Sequence, residues 1–85
     1  MAYTIVITKE AKKDIDVLDS VVKKQLYKKL IYFKNIDDIQ TVAKKLINPE
    51  LGGYRLRVGD YRIVFDMDRR TLILLRIQHR KDVYR

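Results

Sequence analysis

The hydrophobic pattern of the first twenty residues predicts a strand followed by a helix. Residues 4–8, TIVIT, are rich in the β-branched side chains that favour strands. Thr8 can cap the next element, and from Lys9 to about Asp19 hydrophobic residues recur at steps of three and four. The buried stripe of this amphipathic helix is predicted to contain Ala11, Ile15, Leu18 and then Val22.

A second, longer helix is predicted to begin at a cap formed by Asp19 or Ser20 and to end near Asn35. Four hydrophobic residues form its buried stripe, Val22, Leu26, Leu30 and Phe33, and Tyr27 and Ile31 are expected to widen it. Lysines occupy its flanks, which is typical of a solvated helix face, and they can also attract nucleic acid over long range. These lysines are Lys23, Lys24, Lys28 and Lys29.

A short third helix is expected after this point. Asp37 or Asp38 can start it, and Asn48-Pro49 ends it, because the residue before a proline disfavours helical geometry. Its inward residues would be Ile39, Val42, Ala43 and Leu46.

The hydrophobic period changes to two after Leu51. Residues 54–58, 61–66 and 71–78 are predicted to be three strands joined by tight turns. The predicted fold is therefore α+β, with an N-terminal strand, two to three helices and an antiparallel three-stranded meander. Helices would pack on one face of a four-stranded sheet and leave the other face uncovered.

The turn between the first two meander strands fixes how they pair. If Gly59 and Asp60 form a two-residue turn, Val58 opposes Tyr61 and Arg57 opposes Arg62. Residues that are directly opposite share a face of the sheet, so the two arginines are predicted to point the same way.

This register gathers Arg55, Arg57 and Arg62 on the face without helices, which we call the arginine face. Like charges directly opposite each other destabilise a sheet, so the cluster favours an anion-binding role, and phosphate is the simplest anion. The alternative is a surface salt-bridge network in which the arginines are neutralised by Asp60, Asp66 or Asp68.

Other candidate residues lie near the C-terminus. Alternation places Arg76 on the same strand face as Leu72, Leu74 and Gln78. Residues 79–85, HRKDVYR, contain Arg80, Tyr84, Arg85 and the chain's one histidine, His79. An imidazole titrates near neutrality and can exchange protons with ribose or phosphate oxygens. Arg69 and Arg70, in the turn MDRR, are expected to be solvated.

Charge points to a polyanionic partner. The 85 residues form one expected domain, 1–85, and include 19 Lys and Arg against 11 Asp and Glu, for a net charge of +8. Ten of the eleven lysines precede Arg55, and all eight arginines follow Leu51. Nucleic acid is the leading partner class, and a surface that is merely basic is the alternative.

Composition also excludes several kinds of chemistry. The absence of cysteine excludes thiolate nucleophiles and Cys-based metal sites, and it suits a reducing cytoplasm. A single histidine makes a zinc site improbable, and the three glycines do not form a phosphate loop. No apolar run approaches the roughly 20 residues that span a bilayer, so we expect no membrane contact.

The segments YRLRVGDYRIVFD (54–66) and LRIQHRKDVYR (75–85) resemble the C-terminal half of the RelE toxins of the RelE/ParE superfamily. The start of the chain, residues 1–19, is similar to that family's opening strand and helix. The resemblance implies a type II toxin that enters the ribosomal A site, cuts mRNA and inhibits translation. It also implies a RelB-like antitoxin and a metal-independent reaction without a small-molecule cofactor, in which the ribose 2′-hydroxyl attacks the adjacent phosphate.

The resemblance also implies roles for individual residues. Arg55 and Arg57 match two basic residues on the family's second strand, Arg62 matches an arginine on the third, and the family's C-terminal arginine and aromatic residue match Arg80 and Tyr84. The expected catalytic residues are Arg57, Arg62, His79, Arg80 and Tyr84. The expected RNA-binding residues are Arg55, Arg76 and Arg85.

One departure from the family pattern affects the mechanism. Some relatives have lysines where this chain has Arg55 and Arg57, and an arginine hardly loses a proton, so a lysine base cannot be transferred. His79 or Tyr84 would then act as acid or base, or positioning would dominate. Two other functions remain open: a ParE-like toxin that blocks DNA gyrase, and a noncatalytic basic RNA-binding module.

Overall fold

The computed structural model describes residues 2–41, 43–45, 53–79 and 81. The strands are β1 (Thr4–Ile7), β2 (Lys44–Lys45), β3 (Tyr54–Val58), β4 (Tyr61–Asp68) and β5 (Thr71–His79). The helices are α1 (Lys9–Asp16) and α2 (Ser20–Asn35), and a single 3₁₀ turn spans Ile39–Thr41. The strands form one sheet in the order β1-β5-β4-β3-β2, in which β1 runs parallel to β5 and the other neighbours are antiparallel.

Both helices begin at the predicted caps. The Thr8 hydroxyl accepts a hydrogen bond from the N–H of Ala11 at 3.2 Å and donates to the carbonyl of Leu74 at 2.7 Å. The Asp19 carboxylate accepts from the N–H of Val22 at 2.9 Å. Each cap satisfies a helix N–H that has no partner within the helix, and Thr8 also ties the start of α1 to β5.

The core lies between the helices and one face of the sheet. The predicted helical stripes supply Ala11, Ile15, Leu26, Leu30 and Phe33, all buried. The expectation that Tyr27 and Ile31 widen the stripe of α2 is wrong, because both side chains are exposed. The sheet supplies Leu56, Val58, Ile63, Phe65, Leu72, Leu74 and Ile77. Removing this apolar surface from water stabilises the fold by roughly 25 cal/mol per Å². Helices on one face of a sheet are the α+β arrangement predicted from the sequence, which is confirmed.

The prediction of a third helix is wrong over the described residues. Ile39 is fully buried and its N–H donates to the Tyr3 hydroxyl at 2.8 Å, so the chain is held in a single 3₁₀ turn. It then becomes extended, and the backbone of Lys44 pairs with that of Arg55 at the edge of the sheet. The sheet thereby gains a fifth, two-residue strand. Val42, Leu46 and Asn48-Pro49 lie outside the described residues.

A β-bulge in β5 changes which residues share a face. Val64 pairs with Arg76 and Phe65 pairs with Leu74, so Leu75 is an extra residue between the two pairs. Strict alternation would have kept Arg76 on the face of Leu74. That prediction is wrong, because the bulge moves Arg76 into the row of Val64, on the face away from the helices.

Candidate nucleic-acid interface

The β3–β4 hairpin builds the arginine face as predicted. Gly59 has φ +58°, a left-handed conformation that favours glycine and makes the tight turn possible. Val58 pairs with Tyr61, Arg57 with Arg62, and Arg55 with Val64. Val58 is buried against the core, whereas Arg57 is exposed. Arg55, Arg57 and Arg62 thus lie together on the face of the sheet without helices.

Carboxylates do not neutralise the β3 arginines. Among the described residues, the ion pairs are Lys12–Asp16 and Arg76–Asp14, neither of which includes Arg55 or Arg57. The Arg57 Nε donates to the carbonyl of Gly59, at a long 3.4 Å. Within the described part of the chain, therefore, the two guanidinium groups on β3 have no anionic partner.

The acidic residues of β4 lie towards the opposite end of the face. Asp66 pairs with Ile73 and Asp68 with Thr71, next to the β4–β5 turn. The Asp66 carboxylate accepts a hydrogen bond from the N–H of Gly53 at 2.8 Å. One of its oxygens therefore holds the chain just before β3. Within the strands, therefore, the arginines of β3 and β4 lie towards the β3–β4 turn, which also contains Asp60, and Asp66 and Asp68 lie towards the β4–β5 turn.

Arg76 is held by α1. Its Nε and Nη2 donate to the two oxygens of Asp14 at 2.8 and 3.4 Å, and Asp14 also accepts the backbone N–H of Ile77 at 2.9 Å. The hydrogen bond and the charge of Asp14 raise the pKa of Arg76. Sequence reasoning missed Asp14 because its partners are 62 and 63 positions away.

The structure does not bring His79 together with Arg57 and Arg62. His79 pairs with Tyr61, and the two rings meet edge to face with centroids 4.9 Å apart. Its Nδ1 accepts the N–H of Lys81 at 3.1 Å. The residue that shares a row with the arginines is Gln78, which pairs with Arg62.

The three remaining predicted site residues, Arg80, Tyr84 and Arg85, lie outside the described residues. Their assignment therefore stays a prediction from the resemblance.

The two turn arginines differ from each other. Arg69 is exposed, with φ +56°. Arg70 is half-buried: its guanidinium lies 3.9 Å from the centroid of the Tyr3 ring, and Nη1 donates to the carbonyl of Asp37 at 3.0 Å. The expectation that both are solvated is wrong for Arg70, which joins the β4–β5 turn to the N-terminus and to the segment after α2.

The described residues offer neither a membrane-spanning helix nor a metal-binding cluster. No helix among them is long and apolar enough to cross a membrane. No three His, Asp or Glu side chains in this part of the chain converge on a point where a metal ion could bind.

The sequence matches a known family model over nearly its whole length. Residues 5–84 match the family described as the ParE toxin of type II toxin-antitoxin system, parDE. No protein of curated function is significantly similar in sequence.

Several solved structures share the fold. The RelBE2 toxin–antitoxin complex of Mycobacterium tuberculosis is 25% identical with a TM-score of 0.70, and the match covers 93% of this chain and 99% of that one. The RelB–RelE complex of Methanococcus jannaschii is 26% identical with a TM-score of 0.73, covering 93% and 94%. A mutant of the E. coli toxin RelE in the free state is 28% identical with a TM-score of 0.70, covering 99% and 92%.

Proposed function

Because the chain belongs to the ParE toxin family of type II toxin–antitoxin systems, we propose that it is a RelE-like endoribonuclease that cleaves mRNA in the ribosomal A site and so inhibits translation. One observation carries the proposal: Arg57 lies directly opposite Arg62, with Arg55 on the same face. The opposed guanidinium groups concentrate positive charge on one row of the sheet, and the phosphate of an RNA strand is an anion that such groups bind in two places.

The arginine face suits a metal-independent cleavage. The ribose 2′-oxygen attacks the adjacent phosphorus and loses its proton, while the bond from phosphorus to the 5′-oxygen breaks and that oxygen gains a proton. The products are a 2′,3′-cyclic phosphate and a 5′-hydroxyl. Guanidinium groups that are already in place stabilise the negative charge that develops on the phosphate oxygens.

Proton transfer needs a different residue. Arginine stays protonated and cannot act as the base, and His79 lies with Tyr61 rather than in the row of Arg57 and Arg62. The proposal therefore favours Tyr84, the aromatic residue implied by the resemblance, together with Arg80. Orientation of the mRNA by the ribosome supplies much of the remaining rate enhancement.

We propose a RelB-like antitoxin as the protein partner. The related M. tuberculosis and M. jannaschii structures are toxin–antitoxin complexes, and the net charge of +8 suits an acidic partner. In a binding titration with such an antitoxin, Arg55→Glu should weaken the complex if the antitoxin covers the arginine face. Unchanged affinity would contradict that placement.

The family match favours a second candidate, a ParE-like toxin that blocks DNA gyrase. Expression of the toxin should distinguish the two functions. A RelE-like toxin should arrest translation first, and mapping of mRNA 5′ ends should place cuts within A-site codons. Early arrest of replication with intact mRNA would contradict the endoribonuclease and support the gyrase inhibitor. RNA binding without any cleavage would support the noncatalytic module.

A further inference from the structure

Gln78 occupies a position on the arginine face that alternation along β5 does not predict. It pairs with Arg62, which pairs with Arg57, so the three residues form one row across β3, β4 and β5. Adjacent strands are about 4.8 Å apart, which puts Gln78 one strand from Arg62 and two from Arg57. Without the extra residue at Leu75, Gln78 would lie on the helix side.

The side-chain amide of Gln78 is available to a ligand. It is half-buried, and none of its hydrogen bonds goes to another described residue. An amide can donate two hydrogen bonds and accept two, so Gln78 carries unused hydrogen-bonding capacity beside two guanidinium groups. Such a group is expected either to face water or to contact a bound molecule.

The space around Gln78 is concave. It lies beyond the end of β1, on the side of β5 away from β4, where no described strand pairs with β5, and it measures about 360 Å³. Small-ligand sites span about 300–1,000 Å³. The space opens at the edge of the sheet: Arg76 and Gln78 line it from the arginine face, and Tyr61, Ile77 and Leu18 line it from the helix side.

We propose that Gln78 contacts the base of the nucleotide whose phosphate is bound by Arg57 and Arg62, and that it thereby sets a base preference for cleavage. This inference rests on the proposed function. A side-chain amide can donate to phosphate, but unlike arginine it also has an acceptor, and its paired donor and acceptor match the edge of an unstacked base. The arginines then bind every sequence, and Gln78 distinguishes between bases.

The β-bulge and the contacts of Asp14 with β5 hold Gln78 in place. Asp14 binds the N–H of Ile77, the residue between Arg76 and Gln78, and also binds the Arg76 side chain. The backbone on the N-terminal side of Gln78 is therefore fixed from α1. A side chain on such a supported strand keeps its position when a flexible single strand binds.

The test is single-turnover cleavage on ribosomes programmed with A-site codons that differ at one base. Wild-type protein should discriminate between bases at one codon position. Gln78→Ala should reduce that discrimination roughly 5- to 150-fold, the range for one paired base contact, and should leave the rate on the least favoured base unchanged. Gln78→Glu keeps the shape but removes the donor, so it should change which base is favoured.

Gln25→Ala is the matched control, because it removes the same amide from the exposed surface of α2. Its codon profile should equal that of the wild type, and thermal unfolding should show that all variants are folded. If the wild type discriminates and both Gln78 variants keep its profile, this inference is overturned while the proposed function stands. Uniform wild-type rates on all codons also overturn it, and no wild-type cleavage overturns both.

Discussion

Arginines that look equivalent in the sequence have different environments. Arg57 is exposed on the arginine face, Arg76 is bound by Asp14, and Arg70 lies against the ring of Tyr3. Arg57 can bind a phosphate without breaking an ion pair or an aromatic contact, whereas Arg76 and Arg70 cannot. Substitutions of single arginines should therefore separate effects on cleavage from effects on stability.

We expect Arg57→Ala and Arg62→Ala to slow single-turnover cleavage by about 10²–10³-fold, the usual effect of losing one donor to a transition-state oxyanion. Ribosome binding should weaken much less, because only interactions that strengthen in the transition state raise the chemical rate. Arg69→Ala is the control, since Arg69 is an exposed turn residue. A wild-type rate for saturated Arg57→Ala would show that the site assignment is wrong.

Arg70→Ala should lower the free energy of unfolding by about 1–3 kcal/mol, because it removes a cation–π contact and a hydrogen bond. Urea unfolding measures the effect. Arg69→Ala should change stability by less than about 0.5 kcal/mol, as is usual for a surface substitution. Equal effects of the two substitutions would contradict the structural role of Arg70.

At the scale of elements, the hairpin turns depend on left-handed residues. Gly59 has φ +58° and Arg69 has φ +56°, a conformation that costs a residue with a Cβ roughly 1–2 kcal/mol. Gly59→Ala should therefore destabilise the protein by about that amount, although nothing crowds the added Cβ. Arg69→Gly should stabilise it by up to about 1 kcal/mol. If the melting temperature shifts in the same direction for Gly59→Ala and Arg69→Gly, this explanation is contradicted.

Asp14 attaches helix α1 to strand β5. Asp14→Ala should destabilise by about 1–3 kcal/mol, because the half-buried N–H of Ile77 loses its acceptor. Arg76→Ala removes only the partly exposed ion pair and should cost about 0–1 kcal/mol. Chemical unfolding of both variants gives the comparison. If Arg76→Ala is the more damaging, the ion pair rather than the backbone contact holds α1.

Local rules explain which elements could be predicted. Thr8 and Asp19 cap helices through residues three positions on, and a two-residue turn fixes the register of β3 and β4. The bulge at Leu75 and the stacking of Arg70 on Tyr3 depend instead on contacts between distant parts of the chain. Short-range sequence patterns do not encode such contacts, so the sequence alone does not place Gln78 on the arginine face or Arg70 against Tyr3.

At the scale of the whole molecule, positive charge extends beyond the arginine face to the lysines of α2. We expect the double substitution Lys24→Glu and Lys28→Glu, at two exposed positions, to slow association with ribosomes at low salt through weaker long-range attraction. Added salt should reduce the difference in association rate between this variant and the wild type, because the Debye length falls to about 8 Å at 0.15 M. Stopped-flow binding measures this effect.

The same variant should cleave at the wild-type rate once it is bound, because α2 packs on the other face of the sheet. Lys24→Gln with Lys28→Gln, which removes the charges without reversing them, should give an intermediate association rate. A loss of cleavage in saturated complexes would place these lysines in the active site instead.

The pairing of β1 with β5 has a consequence for how the toxin is made. Thr4 pairs with Thr71 and Ile7 with Leu74, so the first strand has no place in the sheet until the last strand has been synthesised. Contacts this distant in sequence form late in folding. A nascent chain cut short before β5 also lacks Gln78 and the partners of Asp14. If the toxin cleaves its own message early, the shortened products cannot complete the sheet, and its synthesis limits itself.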